Sequence, residues 1–250
     1  MTIQETRMAS GVASTENEFA RRLFTGLPRH YDVLAEVLSF GQNRRWRKRI
    51  VDEVVAAEPS TVLDVATGTA SVALDLAKRT QASITGIDLT DSMVRRGSEK
   101  VAAFGYSQRI SLLVGRAESL PFRDSTFDAL TFTYLLRYVV DPEATLREMV
   151  RVLKPGGVMA NVEFMLPPHP MWRACWWLYT RLALPLAGRV ASPEWAAVGH
   201  FLGPSISRHY RRYPLAWTVR AWQDAGMVDV RLQVMSLGGG VVMWGRKDRG

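Results

Sequence analysis

Thr61-Val-Leu-Asp-Val-Ala66 runs straight into Thr67-Gly-Thr69, and this stretch decides the fold. Its first half is short and apolar, as a strand buried on both faces must be. Its second half is small and turn-forming. Val72, Ala73, Leu76 and Ala77 then repeat at helical spacing. Strand, tight turn and helix make the first step of a βαβ unit, and the step recurs downstream. Residues 82–88 read as a second strand and 92–103 as a second helix. Ile110–Val114 and Phe127–Thr133 read as the third and fourth strands. Asp141-Pro142 opens another helix, because Asp suits the N-cap and Pro the first helical position. Leu146, Met149, Val150 and Leu153 line its apolar face; Lys154-Pro-Gly-Gly157 is expected to stop it, with a fifth strand at 158–164. A helix over 215–225 precedes two runs, 228–235 and 240–246, close enough to pair antiparallel. The expectation is an α/β, Rossmann-like sheet of seven strands, mostly parallel, with an antiparallel C-terminal strand.

The flanks read differently. Residues 1–18 are polar, small and without period, a flexible tail. Residues 19–57 are helical in pattern and broken at Ser39-Phe40-Gly41; Leu34, Val37 and Leu38 form one face, and Trp46, Ile50, Val54 and Val55 another. From residue 166 to about 203 the pattern is lost. Pro167, Pro168, Pro170, Pro185 and Pro193 punctuate this part, which also holds Trp172, Trp176, Trp177 and Trp195.

Composition excludes several classes. The 250 residues are 47% apolar and 22% charged, ordinary for a folded chain. The single Cys175 rules out a disulfide framework, and His30, His169, His200 and His209 lack the spacing of metal ligands, so no metal site is expected. No run reaches the roughly 18 apolar residues of a membrane span, and no signal-peptide pattern opens the chain. The expected location is cytoplasmic. Net charge is +8, from 32 basic and 24 acidic residues. The cluster Arg44, Arg45, Arg47, Lys48 and Arg49 would point around a helix as a collar rather than a stripe, and no nucleic-acid partner is expected.

Ligands of an open α/β sheet bind beyond the carboxyl ends of its strands. There, Gly68 allows close backbone approach at a helix N-terminus. Asp88, 24 residues after Asp64, can accept two hydrogen bonds from a ribose diol, although G-x-G-x-x-G is absent.

The run Val62-Leu-Asp-Val-Ala-Thr-Gly-Thr69 resembles the first motif of class I S-adenosylmethionine-dependent methyltransferases. Gly115-Arg-Ala-Glu-Ser-Leu-Pro-Phe122, Phe127-Asp128 and Arg151-Val-Leu-Lys-Pro-Gly-Gly157 resemble the later motifs, in order. The flanks narrow the likeness to the ubiquinone/menaquinone C-methyltransferases. Tyr31-Asp32, Ser39-Phe-Gly41, Arg44 and Trp46-Arg47 resemble their N-terminal segment, and Tyr134-Leu-Leu-Arg137, Glu163-Phe164, Phe201-Leu202, Ser205-Ile206 and Tyr213-Pro214 their later positions. The sequence departs from that pattern at Ala70, Arg116, Tyr138 and Pro204.

The resemblance implies S-adenosyl-L-methionine as cofactor, held by Thr69, Asp88, Arg116, Ala117 and Thr133; with that ligand its methionine part would lie over the Gly68 turn, Asp64 would hold the methionine ammonium directly or through water, and Leu89 would offer an apolar neighbour to the base. No Lys or Arg stands in the glycine turn, which suits a ligand without phosphate. It also implies a hydrophobic aromatic acceptor, foremost a prenylated quinol precursor methylated at carbon. The alternatives are methylation of another lipophilic or polyketide-like acceptor, at carbon or oxygen, and a non-catalytic binding protein of the same fold. Carbon methylation of a phenol needs its hydroxyl deprotonated. Arg137 would stabilise the phenolate or, as the alternative, form a salt bridge with Asp141 or Glu163; Tyr138 or a water held by Arg137 would relay the proton, and His30 is a candidate base. On this reading 19–57 is a helical lid, 58–165 the cofactor-binding core, 166–212 an acceptor-side insert and 213–250 the C-terminal helix and strands. The Trp-rich insert would cap a prenyl tail, rest at the inner face of a membrane or form a homodimer surface.

Overall fold

β1 (Thr61–Val65) lies inside a seven-stranded sheet because four of its five residues are buried. The computed structural model describes residue 36, residues 39–191 and residues 193–250. The further strands are β2 (Ser83–Asp88), β3 (Ile110–Val114), β4 (Phe127–Thr133), β5 (Leu153–Phe164), β6 (Met227–Met235) and β7 (Gly240–Lys247). Their order is β3-β2-β1-β4-β5-β7-β6. β1 pairs in parallel with both β2 and β4, and β7 slots antiparallel between β5 and β6. Chain order therefore reverses direction at β1/β4, where such sheets open a crevice.

Helices cover both faces. α1 (Gln42–Val55), α2 (Ser71–Arg79) and α3 (Asp91–Ala103) precede β3; α4 (Pro142–Val152) leads into β5, and α8 (Leu215–Asp224) into β6. One core layer gathers Leu63, Val65, Leu130, Phe132, Leu146, Met149 and Trp222; the other gathers Trp46, Ile50, Val54, Val62, Leu76 and Val162. Asp141 caps α4 by accepting the Ala144 N–H at 2.9 Å, with Pro142 at the first helical position. Asp128 ties three strands together. It accepts from Thr61 N and Thr61 Oγ1, both at 2.8 Å, and from Lys154 Nζ at 2.7 Å.

Two expectations need correction. Lys154-Pro-Gly-Gly157 lies within β5 rather than ahead of it. Leu153 pairs with Phe127 and Val158 with Ala129, and a register shift between these pairs absorbs the extra residues. Residues 166–212 are not patternless but largely helical: α5 (Pro170–Leu178), a π-helical turn (Tyr179–Ala183), α6 (Leu184–Ala191) and α7 (Pro193–Arg212). Pro170 and Pro193 open helices rather than ending them, since proline's missing N–H costs nothing in a first turn. The break at Ser39-Phe40-Gly41 is a turn in which Phe40 and Gly41 take φ of 52° and 73°. The tail and the helix expected before that break lie outside the described residues, as do Leu34, Val37 and Leu38.

Candidate active site

The loop after β1 turns through left-handed backbone at Ala66 (φ 55°), Gly68 (φ 55°) and Ala70 (φ 61°) before α2 begins. A Cβ on Gly68 would meet nothing within 4 Å, so the loop leaves an open cradle above its backbone. Asp88, at the end of β2, forms the neighbouring wall. Its Oδ2 accepts Gly68 N–H at 2.8 Å and its Oδ1 accepts Thr90 N–H at 2.9 Å. Burial raises the Asp88 pKa, and the Thr90 and Gly68 N–H groups and the Thr90 side chain oppose that rise.

Asp64 sits deeper, 1% exposed. It accepts Thr67 Oγ1 at 2.6 Å and Thr131 Oγ1 at 2.7 Å, so it joins the loop to β4. Burial pushes its pKa up to about 6, against the two hydroxyls and with help from the Asp88 charge. Leu89 and Thr133 are half-buried at the ends of β2 and β4, and Thr69 and Ala117 are buried. Arg116 lies 3.7 Å from Glu118 with its side chain 48% exposed, so it borders the site from the solvent side.

The other half of the crevice is aromatic. Arg137 lies in a short 3-10 turn after β4 (Leu136–Tyr138). Its guanidinium stands 4.8 Å from the Tyr138 ring, 5.1 Å from Phe164 and 5.9 Å from Tyr134. Nη2 donates to the Tyr138 hydroxyl at 3.2 Å, while Nε is buried without a hydrogen-bond partner. Burial works against this charge, but Tyr138 and Glu163 outweigh it and hold the pKa above the ordinary arginine value. Tyr134, itself left-handed at φ 55°, stacks on Phe164 at 4.4 Å and donates its hydroxyl to Asn43 Oδ1 of α1 at 2.7 Å. Trp46 of α1 meets Phe164 edge-on and closes over β7, where a Cβ on Gly240 would fall 2.7 Å from its ring.

Glu163, next to Phe164 at the end of β5, is buried and accepts the Leu136 N–H at 3.1 Å. Burial pushes its pKa up to about 7, despite the opposing pull of Arg137. From α7, Phe201 stacks on Tyr138. His209, also on α7, is held down to about 4 by burial and by Arg137, so it stays neutral. Tyr210 is pushed up by burial and by Glu163. Cofactor-type and acceptor-type groups thus meet at the carboxyl edge of β1, β2, β4 and β5.

A model of the ubiE/COQ5 methyltransferase family matches residues 12–247. The chain belongs to that family. It is 41% identical over 179 residues to the ubiquinone/menaquinone biosynthesis C-methyltransferase UbiE of Geotalea daltonii, covering 71% of this chain and 76% of the relative. It is 33% identical over 235 residues to the demethylmenaquinone methyltransferase of Desulfitobacterium hafniense, covering 92% and 90%. A solved SAM-dependent methyltransferase from Aquifex aeolicus superposes with a TM-score of 0.53 at 19% identity, over 80% of this chain and 89% of that one. The [4+2]-cyclase SpnF superposes with a TM-score of 0.56 at 20% identity, over 82% and 81%. Likenesses at this level show the fold alone.

This ubiE/COQ5-family methyltransferase is therefore an enzyme with S-adenosylmethionine as its methyl donor. The residues present fit that cofactor: among the described residues the cradle over Gly68 is open, residues 66–70 contribute no cationic side chain to it, and the Asp88 carboxylate fronts it. Among the residues singled out from sequence, Asp64, Gly68, Thr69 and Asp88 come together at one loop, and Arg137 and Tyr138, neighbours in one turn, touch each other through their side chains. His30 lies outside the described residues. Sequence reasoning did not place Glu163 or His209 among the site residues. Glu163 was signalled by its position at a strand's carboxyl end and by the Glu163-Phe164 pair that matches the family; nothing local marked His209, which reaches Arg137 by the path of α7. Among the described residues no group of three His, Cys, Asp or Glu could hold a metal ion, and no helix is long and apolar enough to cross a membrane.

Proposed function

We propose that this methyltransferase transfers a methyl group to a ring carbon of a prenylated quinol precursor, and that Arg137 receives the acceptor oxygen. The observation that carries the reading is the half-buried Arg137: three aromatic rings surround its guanidinium, and its buried Nε has no partner. A buried charge with an unused donor is costly until an anion meets it. A phenolate brings that anion on a flat ring that fits among Tyr134, Tyr138 and Phe164.

On the donor side, Asp88 takes the ribose hydroxyls, the Gly68-Thr69 backbone lies along the methionine chain and Asp64 faces its ammonium. Leu89, Arg116, Ala117 and Thr133 border the base. When bound, S-adenosylmethionine supplies a methyl on a sulfonium sulfur. Arg137 lowers the cost of phenolate on the acceptor, and Glu163 takes the hydroxyl proton with the Tyr138 hydroxyl in between. The acceptor's ring carbon would take the methyl, the C–C bond forming as the S–CH3 bond breaks with its electron pair left on sulfur; the ring carbon's own proton would pass to solvent, restoring the aromatic ring, and Glu163 would return its proton to the acceptor oxygen. Holding both partners in line supplies much of the rate. A prenylated acceptor partitions into bilayers, so the reading also carries contact with a membrane surface.

The test is a labelled-methyl assay against quinol and phenol acceptors of graded chain length, followed by mapping of the methylated atom. Label on a ring carbon of a prenylated quinol supports the reading. Label on oxygen, or only on acceptors unrelated to quinols, overturns it.

A further inference from the structure

α5, the π-helical turn and α6 form a continuous helical rod, and one face of it is bare. Met171, Leu178, Leu182 and Leu186 are 53, 54, 51 and 59% exposed. Their spacing, with Ala174 and Cys175 between them, puts them on one side of the rod. The stripe runs for roughly 20 Å. α5 buries none of its side chains. Trp172 and Trp177 flank the stripe at 36 and 52% exposure, and Arg181 lies over the Trp177 ring at 6.0 Å.

The opposite side of the rod is occupied. Thr180 and Leu184 are buried, α7 packs along α6 and the π-helical turn, and Phe201 of α7 stacks on Tyr138 beside Arg137. The insert is therefore a two-layer helical cap, with its inner layer on the acceptor side of the crevice and its outer layer apolar and exposed.

Charge selects the occupant. Residues 166–212 contain six arginines and one acidic residue, Glu194. All six are exposed; Arg173, Arg181 and Arg189 stand on the outer rod itself, and Arg208, Arg211 and Arg212 at the end of α7. Leucines for the acyl boundary, tryptophans beside them and exposed arginines on the same helices are the composition of a surface that lies in the plane of an anionic bilayer. A second copy of this chain would bring the same three outer arginines against these, a like-charge contact that opposes self-association.

We propose that the outer face of α5–α6 docks this methyltransferase on an anionic membrane surface. Its apolar stripe sits at the acyl boundary and its arginines among the headgroups. The purpose rests on the quinol reading: docked this way, the inner side of the same cap receives an acceptor whose chain remains in the bilayer.

The experiment uses the full chain and vesicles of phosphatidylcholine, alone or with about one-third phosphatidylglycerol. Co-sedimentation and tryptophan emission report binding. The wild type binds the anionic vesicles with a blue-shifted emission and binds the neutral ones far more weakly. The triple variant Leu178→Glu, Leu182→Glu, Leu186→Glu loses at least about tenfold in vesicle affinity. It keeps the wild-type unfolding temperature and methylates a short-chain, water-soluble quinol at the wild-type rate. The pair Arg181→Gln, Arg189→Gln loses the preference for anionic lipid. A wild type that ignores anionic vesicles overturns the proposal, as does a triple variant that binds them equally well. A wild-type dimer that the triple substitution splits, with vesicle binding unchanged, assigns the face to a second copy and also overturns it. Vesicle binding without quinol methylation leaves the docking surface standing and removes the quinol; methylation without binding does the reverse.

Discussion

Asp88 accepts the backbone N–H of Gly68 at 2.8 Å, so one carboxylate both shapes the glycine turn and fronts the crevice beside it. Asp88→Ala removes the turn's anchor together with the proposed ribose partner. S-adenosylhomocysteine should bind about 1–3 kcal/mol more weakly. Asp88→Asn, which keeps one acceptor oxygen, should fall between that variant and wild type. Titration calorimetry decides; unchanged affinity in Asp88→Ala removes Asp88 from the cofactor site.

Asp64 makes stability depend on pH. The unfolded chain releases its proton near pH 3.8, while the folded chain keeps it to about pH 6. Between these values the folded state binds more protons, so this group's contribution to stability falls as pH rises, and the loss is complete above about pH 6. Asp64→Asn removes the buried charge. The variant should match wild type near pH 4 and exceed it by about 3 kcal/mol at pH 8, the scale of a two-unit shift. Urea unfolding at the two pH values measures this, and an equal difference at both refutes it. If Asp64 faces the methionine ammonium, the same variant binds S-adenosylhomocysteine less tightly while being more stable without it.

Ala70 takes φ 61° at the N-cap of α2, a conformation that costs an L-residue roughly 1–2 kcal/mol. Glycine relieves this and adds back about 0.5–1 kcal/mol of chain entropy on folding. Ala70→Gly should therefore stabilise the protein by about 0.5–1 kcal/mol, raising Tm by roughly 2 °C. A lower Tm would mean that the Ala70 methyl makes packing contacts worth more than the strain.

Arg137 and Glu163 are read as phenolate partner and proton acceptor, and they can be separated. Arg137→Met keeps the stem without the charge. It should bind S-adenosylhomocysteine as wild type does and lose methyl transfer by at least about tenfold, or about 1.4 kcal/mol. Full activity in this variant removes Arg137 from the chemistry.

Glu163 must be ionised to accept a proton, and its pKa stands at about 7. Methyl transfer should therefore rise with pH through about 7 and level off above it. Glu163→Gln still offers an oxygen to the Leu136 N–H but should flatten that limb at a lower rate. A wild-type profile that is flat from pH 6 to 8 excludes this carboxylate as the base.

The strands and the cofactor loop were legible because their signals are local. β1 and β4 are buried apolar runs, and Gly68 and Asp88 stand where such strands end. The cap was not legible, because Pro170 and Pro193 look like breakers in a sequence and act as first helical residues in the fold. Lys154-Pro-Gly-Gly157 misled for a similar reason: turn-forming residues were absorbed by a strand irregularity. The acceptor side was half legible. Arg137 and Tyr138 follow a strand directly, whereas His209 reaches Arg137 only through tertiary packing. The Asn43–Tyr134 bond joins residues 91 positions apart, and no local pattern encodes that meeting.

The join between α1 and the far end of the chain has a consequence for how the protein is made. Trp46 Nε1 donates to Ser236 Oγ at 2.9 Å, across 190 residues, and the Trp46 ring covers Gly240. A chain leaving the ribosome has β1 to β4, and with them the Gly68 turn and Asp88, long before β7 exists. β5 must wait for β7 to shield its open edge, since β7 inserts between β5 and the earlier-made β6. The β1–β4 half of the crevice can thus assemble during synthesis. The half around Phe164 and Trp46 is finished only when β7 threads into place, so a growing chain shapes the Gly68 turn and its Asp88 anchor well before it can close the aromatic wall opposite.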